Sequence, residues 1–189
     1  MIQSLPRSSA RTWIVPLLFF ALLTAVTARI TIPLPFTVVP ITLQVLAVLL
    51  SGLILGSRAG ALSQLLYLAA LAAGLPASSS GIGGPAVFLT PTAGYIVAFV
   101  PAAFVAGYIV ERAQGRGWQS TLLHLIAGLC GVGVIYMGGI AWLAVLLGDF
   151  QVALQQGLLP FIGVDLGKAI AAALVANGGR LLFTPSTAQ

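Results

Sequence analysis

Long uncharged apolar runs constrain this chain more than any other feature. They lie at about 13–28, 38–55, 59–73, 92–110, 121–147 and 161–176, and the first five contain no Asp, Glu, Lys or Arg. A helix crossing the hydrocarbon of a bilayer needs ~20 mostly apolar residues, because a backbone group left unpaired in lipid is costly. Six such runs predict an all-α integral membrane protein of six transmembrane helices, a single membrane domain over 1–189. Composition argues against the soluble alternatives. Only 6% of residues are charged, against about 25% in soluble domains. Eight basic and three acidic side chains cannot cover the water-facing surface of a 189-residue globule. The net charge of +5 is not a nucleic-acid footprint, which needs Lys and Arg clustered on one face; here they stand alone or in loose pairs. The lone Cys130 excludes an internal disulfide, and one His with three scattered acids offers no metal-ligand set.

Positive charge sets the orientation. If six spans start inside, the inner side receives Arg7, Arg11, Arg58, Arg112, Arg116 and Arg180, and the outer side only Arg29, along with Asp149. The positive-inside rule then puts both termini in the cytoplasm. The first run also has the pattern of a signal peptide, with Arg7 and Arg11 before it and small residues at Val26 and Ala28. Cleavage would leave five spans with unchanged sidedness.

The outer connections carry most of the information. Pro33, Pro35 and Pro40 in 29–40 lack backbone donors and fix φ, so a stiff extended flap is expected. The connection 74–91 is rich in Gly and Ser and carries no charge. Its glycines let backbone N–H groups approach a ligand, while its prolines with Phe88 and Leu89 can fold it back onto the bundle. A ligand-contacting loop is expected there in preference to a bare linker. Its Gly spacing does not match a P-loop. The third connection, near 148–160, is polar and ordinary, with Asp149 solvated and Arg29, at the first, snorkelling to the surface.

Asp165 and Lys168 give the strongest single signal. Each alone costs ~2.5–3.5 kcal/mol at a helix centre on insertion scales. At i and i+3 they share a helix face and neutralise each other. Intramembrane ionisable groups are functional candidates by default, although a buried pair can also serve only to fix helix register. Gly163 and Gly167 beside them form a small-xxx-small surface that admits a neighbouring helix. Gln44, about two turns into the second span, and Tyr95, at the outer end of the fourth, fall on the same side as the flap and the Gly-Ser loop. Each of the two could instead bond a neighbouring helix or anchor at the interface; convergence favours a shared site. His124, near the cytoplasmic end of the fifth span, is read as a bystander. Ala21 and Ala25 make a small-xxx-small face, and spacing alone leaves open whether it packs internally or docks a partner. No segment can hydrolyse ATP, since Ala169 follows the sole lysine.

Several motifs occur in one order: Ala21-x-x-x-Ala25, the stretch from Pro35-Phe36-Thr37 to Thr42-Leu43-Gln44, Gly74-Leu75-Pro76, the stretch from Gly81-Ile82-Gly83-Gly84 to Phe88, Pro91-Thr92-Ala93-Gly94-Tyr95, and Asp165-Leu166-Gly167-Lys168-Ala169. Over nearly its whole length the chain thereby resembles the BioY family, the biotin-specific substrate-binding (S) components of energy-coupling-factor (ECF) transporters. The resemblance implies a six-helix S-component fold with both termini cytoplasmic, a retained first span, and high-affinity capture of biotin from outside. It implies that the Ala21/Ala25 face docks against a transmembrane coupling subunit, which joins a pair of cytoplasmic ATPases. It also implies a biotin pocket lined by the loop before span four, here Gly83 and Gly84, and by the Asp165/Lys168 pair. Gln44, Tyr95 and Phe36 complete the expected ligand-binding set. The chain departs from the family pattern at Ile82, where some relatives carry a basic residue, and at Gly163-Val164 ahead of the Asp.

Biotin fits these residue types. Its ureido ring offers two N–H donors and one carbonyl, its thiophane ring and valeryl chain are apolar, and its tail is a carboxylate. Asp165 is expected to accept ureido N–H, while Lys168 either meets a ligand oxygen or keeps Asp165 ionised. The rival reading is an ion- or proton-coupled secondary transporter that uses the pair as a relay. An enzyme is not expected: Ser78, Ser79 and Ser80 have no nearby His, and His124 is predicted on the opposite side. No cofactor is implied.

Overall fold

The computed structural model describes residues 9–112 and 118–183. Arg7 and Arg116 of the charge count lie outside the described residues, as do the side chains of Arg11 and Arg180. The helices are α1 (Ser9–Thr27), α2 (Gln44–Leu55), α3 (Ser57–Ala72), α4 (Ala93–Arg112), α5 (Trp118–Leu147), α6 (Phe150–Gly157) and α7 (Ile162–Phe183). Two short strands, β1 (Thr31–Ile32) and β2 (Ile41–Thr42), and a 3₁₀ turn at Pro85–Leu89 occupy the connections. Six helices fall in the six apolar runs. The seventh, α6, lies in the third connection, expected only to be polar and ordinary.

By length and composition, α4 and residues 119–147 of α5 are each able to cross a membrane, and α6 with α7, bent by 52° at their break, form a third candidate. The others are shorter. The 12 residues of α2 extend about 18 Å at 1.5 Å per residue, less than the ~30 Å of bilayer hydrocarbon. At the end where α1 stops and α2 starts (the flap end), loops continue the bundle beyond the shorter helices. Non-helical backbone is tolerated at membrane depth where it lines a cavity, which is what these loops do.

The core is built around α4, which packs against α5, α3 and α2, while α7 lies on α5 and α2, and α1 on α3 and α2. Ala102, Ala103 and Ala106 of α4 are fully buried, and Gly52 of α2 meets Ala103 so closely that a Cβ there would strike its carbonyl oxygen. Polar pins lie inside the bundle. The Thr24 hydroxyl of α1 is 3.1 Å from Gln64 Oε1 of α3, and Gln64 Nε2 donates to Ser51 Oγ of α2 at 3.1 Å. At the opposite end from the flap, α2 turns into α3 through Gly56. Glu111 at the end of α4 accepts hydrogen bonds from Ser57 N and Ser57 Oγ, both at 2.7 Å, satisfying orphan donors of the α3 N-terminus.

At the flap end, β1 and β2 pair antiparallel with Thr31 opposite Thr42 and Ile32 opposite Ile41, so the proline-rich flap is a hairpin. Thr37 Oγ1 donates to the Gln156 carbonyl at 2.7 Å, fastening the flap to the end of α6. Asp149 does more than sit in solvent: its Oδ1 accepts from Gln151 N at 2.7 Å and Val152 N at 3.0 Å, capping α6. The loop between α3 and α4 is folded onto the bundle. Gly84 N donates to the Leu71 carbonyl at 2.7 Å, Val87 is fully buried, and Trp142 Nε1 donates to the Thr90 carbonyl at 2.8 Å. Gly163 and Gly167, expected to admit a helix, have nothing within 4 Å of an added Cβ; among the described residues no neighbour uses that face. His124 is buried with Nδ1 2.6 Å from the Ser120 carbonyl.

Candidate ligand site

A cavity with about 490 Å³ of empty space, its opening included, lies at the flap end among α2, α4, α5 and α7. Its walls are apolar, from Val45, Ile96, Phe99, Ile135 and Phe161, with the Tyr95 ring beside them. Its rim comes from the two loops: Val39, Pro40 and Thr42 of the flap side, Ser79 and Thr92 of the other.

The polar groups converge on Asp165. Lys168 Nζ donates to Asp165 Oδ1 at 2.6 Å and Tyr136 Oη donates to Asp165 Oδ2 at 2.7 Å. The ion-paired side chains are only 7% and 6% exposed. An ionised carboxylate accepts about four hydrogen bonds. Two are taken by Lys168 and Tyr136, so the others remain for N–H groups of a ligand. Lys168 spends one of its three donors on Asp165, leaving others for a carbonyl or anionic oxygen. A pair this dry is costly to assemble and costly to break, because removing one partner strands the other charge.

Gln44 is the first residue of α2 and not two turns into a span, because Pro40 and the hairpin keep the preceding residues extended. Its amide orientation follows from a relay. Tyr67 Oη donates to the Ala77 carbonyl at 3.0 Å, and a carbonyl can only accept; the Gln44 Nε2 must therefore be the donor to Tyr67 Oη, at 2.6 Å. Gln44 Oε1 is left as an acceptor on a cavity-lining side chain. The hydroxyl proton of Tyr95 goes to the Gly157 carbonyl at 2.9 Å, so Tyr95 offers the cavity its ring more than a donor.

The structure thus brings together Gln44, Tyr95, Asp165 and Lys168. It does not bring Phe36, Gly83 or Gly84 to the cavity wall. Phe36 is 63% exposed on the flap. Gly83 is pressed against the carbonyls of Gly74 and Leu75, where a Cβ would not fit, and Gly84 serves the bond to Leu71. These glycines let the loop dock on its own helix, and the loop's cavity residue is Ser79. Sequence reasoning passed over Ser79, Thr42, Thr92 and, most consequentially, Tyr136. The available signal for Tyr136 was a lone phenol in an apolar run, opposite a carboxylate that needs donors. Ala25 is buried and Ala21 half-buried against the core. The outward face of α1 carries Ile14, Val15, Leu18, Phe19, Leu22 and Val26.

Comparison with known proteins gives one answer at the level of sequence and fold. The BioY family profile matches residues 3–184. A protein of Rhizobium etli named "Biotin transporter BioY" is 39% identical over 173 residues, covering 89% of this chain and 92% of that one. A protein of Thermotoga maritima with the same name is 38% identical over 157 residues, covering 83% and 89%. The crystal structure of the S-component for biotin from an ECF-type ABC transporter superposes with a TM-score of 0.85 at 26% identity, covering 94% of this chain and 95% of that one. With the fold, the ordered motifs and these relatives in agreement, the chain belongs to the BioY family.

Proposed function

We propose that this membrane protein is the substrate-binding component of an ECF-type uptake transporter and that its ligand is biotin, bound in the flap-end cavity. The relatives named as biotin transporters and the matching biotin S-component support the ligand and the transporter class. The observation that carries the site assignment is the buried Asp165–Lys168 pair with Tyr136 at the base of an otherwise apolar cavity. Ureido N–H groups meet the open lone pairs of Asp165 and Gln44 Oε1, and the ureido oxygen meets Lys168. The thiophane ring lies against Phe99, Phe161 and the Tyr95 ring. In this reading the flap end faces outside and both termini are cytoplasmic, which the arginine distribution supports. Biotin is bound and released unchanged; the protein is not an enzyme. ATP hydrolysis belongs to a partner ATPase pair, reached through a transmembrane coupling subunit that docks on the outward face of α1, where Leu18, Leu22 and Val26 are exposed, and not along the Ala21/Ala25 seam expected from the sequence, which faces the core.

Calorimetric titration of the detergent-purified protein with biotin is expected to give one site with Kd below ~1 µM, equivalent to about 8 kcal/mol; absence of saturable binding overturns the reading. In proteoliposomes, the protein alone is expected to show no biotin accumulation driven by a pH gradient, and such accumulation would establish the secondary-transporter alternative. Tyr136→Phe removes the hydrogen bond that holds the Asp165 carboxylate in its orientation, and biotin affinity is expected to fall about tenfold, or ~1.4 kcal/mol, through the loss of that preorganisation. The same titration checks it.

A further inference from the structure

Arg29 takes no part in the site described above, yet the fold does not leave it snorkelling freely. Its guanidinium lies against Gly81 in the loop between α3 and α4: a Cβ at Gly81 would come within 2.6 Å of a guanidinium nitrogen. Gly81 also has φ of +75°, so backbone and contact both call for glycine there. Two residues before Gly81, Ser79 lines the cavity. Two residues after Arg29, Thr31 lines a second, hydroxyl-rich recess of about 740 Å³ including its opening, together with Thr37, Ser80 and Thr90. Cavity and recess share Pro40, Ser79 and Thr92 in their linings; Arg29 lines neither, and its guanidinium stands against Gly81, two residues from Ser79.

Charge is unbalanced at the flap end. Among the described residues, Asp165–Lys168 is the one salt bridge, and Arg29 has no carboxylate partner. Asp149, the other charged group at the flap end outside the cavity, already caps α6. Arg58 and Arg112 lie at the opposite end, beside Glu111. The flap end therefore presents, close to the loop that carries Ser79, an exposed cation that no described carboxylate neutralises.

We propose that Arg29 recognises the free carboxylate of the ligand's tail as it emerges past Ser79 and Thr92. The proposal rests on the biotin reading above: with the ureido head at Asp165 and Lys168, the apolar chain passes the shared rim and its anionic end reaches the guanidinium. Arg29 is then a specificity determinant that separates acids from neutral derivatives carrying the same head.

The test is titration of wild type and Arg29→Gln with biotin and with biotin methyl ester, which keeps the head and chain but removes the charge. Wild type is expected to prefer the acid. R29Q is expected to lose roughly fivefold in affinity for biotin, as befits a partly exposed ion pair, and nothing for the ester. Equal weakening of both ligands, or of neither, overturns the proposal. If R29Q does not fold, wild type alone decides. Its acid-over-ester preference should shrink as NaCl rises from about 0.05 to 0.5 M, and equal binding of acid and ester at low salt sinks the Arg29 role while leaving the biotin reading intact. Wild type binding neither ligand refutes the biotin reading itself.

Discussion

Asp165→Asn should weaken biotin binding by about a hundredfold or more, the largest functional effect of any single substitution in the cavity. The carboxylate is the hub of the polar site, accepting from Lys168 at 2.6 Å and from Tyr136 at 2.7 Å on a side chain that lines the cavity. An amide keeps the shape but replaces one acceptor by a donor, which then opposes the Lys168 ammonium, the Tyr136 hydroxyl or a ureido N–H. Two hydrogen bonds to a charged acceptor, at ~1.5–3 kcal/mol each, are lost or weakened together. The substitution also strands Lys168, 7% exposed, and breaking a buried pair on one side costs ~3–5 kcal/mol, so the melting temperature should fall as well. The double variant Asp165→Asn/Lys168→Met separates the two effects. Removing both charges is often neutral or stabilising, so it should recover the melting temperature without recovering binding. Biotin affinity within tenfold of wild type in well-folded D165N removes Asp165 from the ligand's contacts.

The pair was legible because lipid makes isolated charge expensive, so two ions three residues apart in an apolar run announce both a partner and a place. The six membrane helices were legible for the same reason. What stayed hidden depends on which faces meet in three dimensions. Tyr136 lies 29 residues before Asp165, and nothing in an apolar run tells which helix its phenol faces. The depth of Gln44 is hard to read because 38–43 is mostly apolar and merges with the helix that follows, while Pro40 and the hairpin keep it extended. The helix α6 escaped notice since three glutamines dilute eight residues, although Asp149 at its N-cap was a readable signal. Gly83 and Gly84 were read as a ligand cradle; the same freedom from a Cβ serves loop-to-helix packing instead. Small-residue motifs were the least decisive, since Gly163 and Gly167 face outward while Ala25 is buried.

That last ambiguity makes glycine substitutions a sharp structural test. Lipid offers little hydrophobic drive for helices to associate, so close packing of small residues holds the bundle together. Gly52 is where α2 and α4 come closest: a Cβ there would overlap the Ala103 carbonyl, and Gly60 of α3 packs against Gly52 from the other side. A side chain at 52 can be accommodated only by moving α2 off α4. Those two helices carry Gln44 and Val45 on one wall of the cavity and Tyr95, Ile96 and Phe99 on another. Gly52→Val is therefore expected to lower the melting temperature by roughly 10 °C, from ~3 kcal/mol of overpacking at about 2–4 °C per kcal/mol, and to weaken biotin binding in whatever fraction still folds. Gly133→Val is the matched control. Gly133 is exposed on α5 with nothing within 4 Å of an added Cβ, so the same substitution should leave both melting temperature and affinity near wild type. Melting temperatures and affinities read in the same detergent decide it. If G52V matches G133V in both, the α2–α4 crossing has slack, and helix packing there does not set the distance between Gln44 and the wall that faces it.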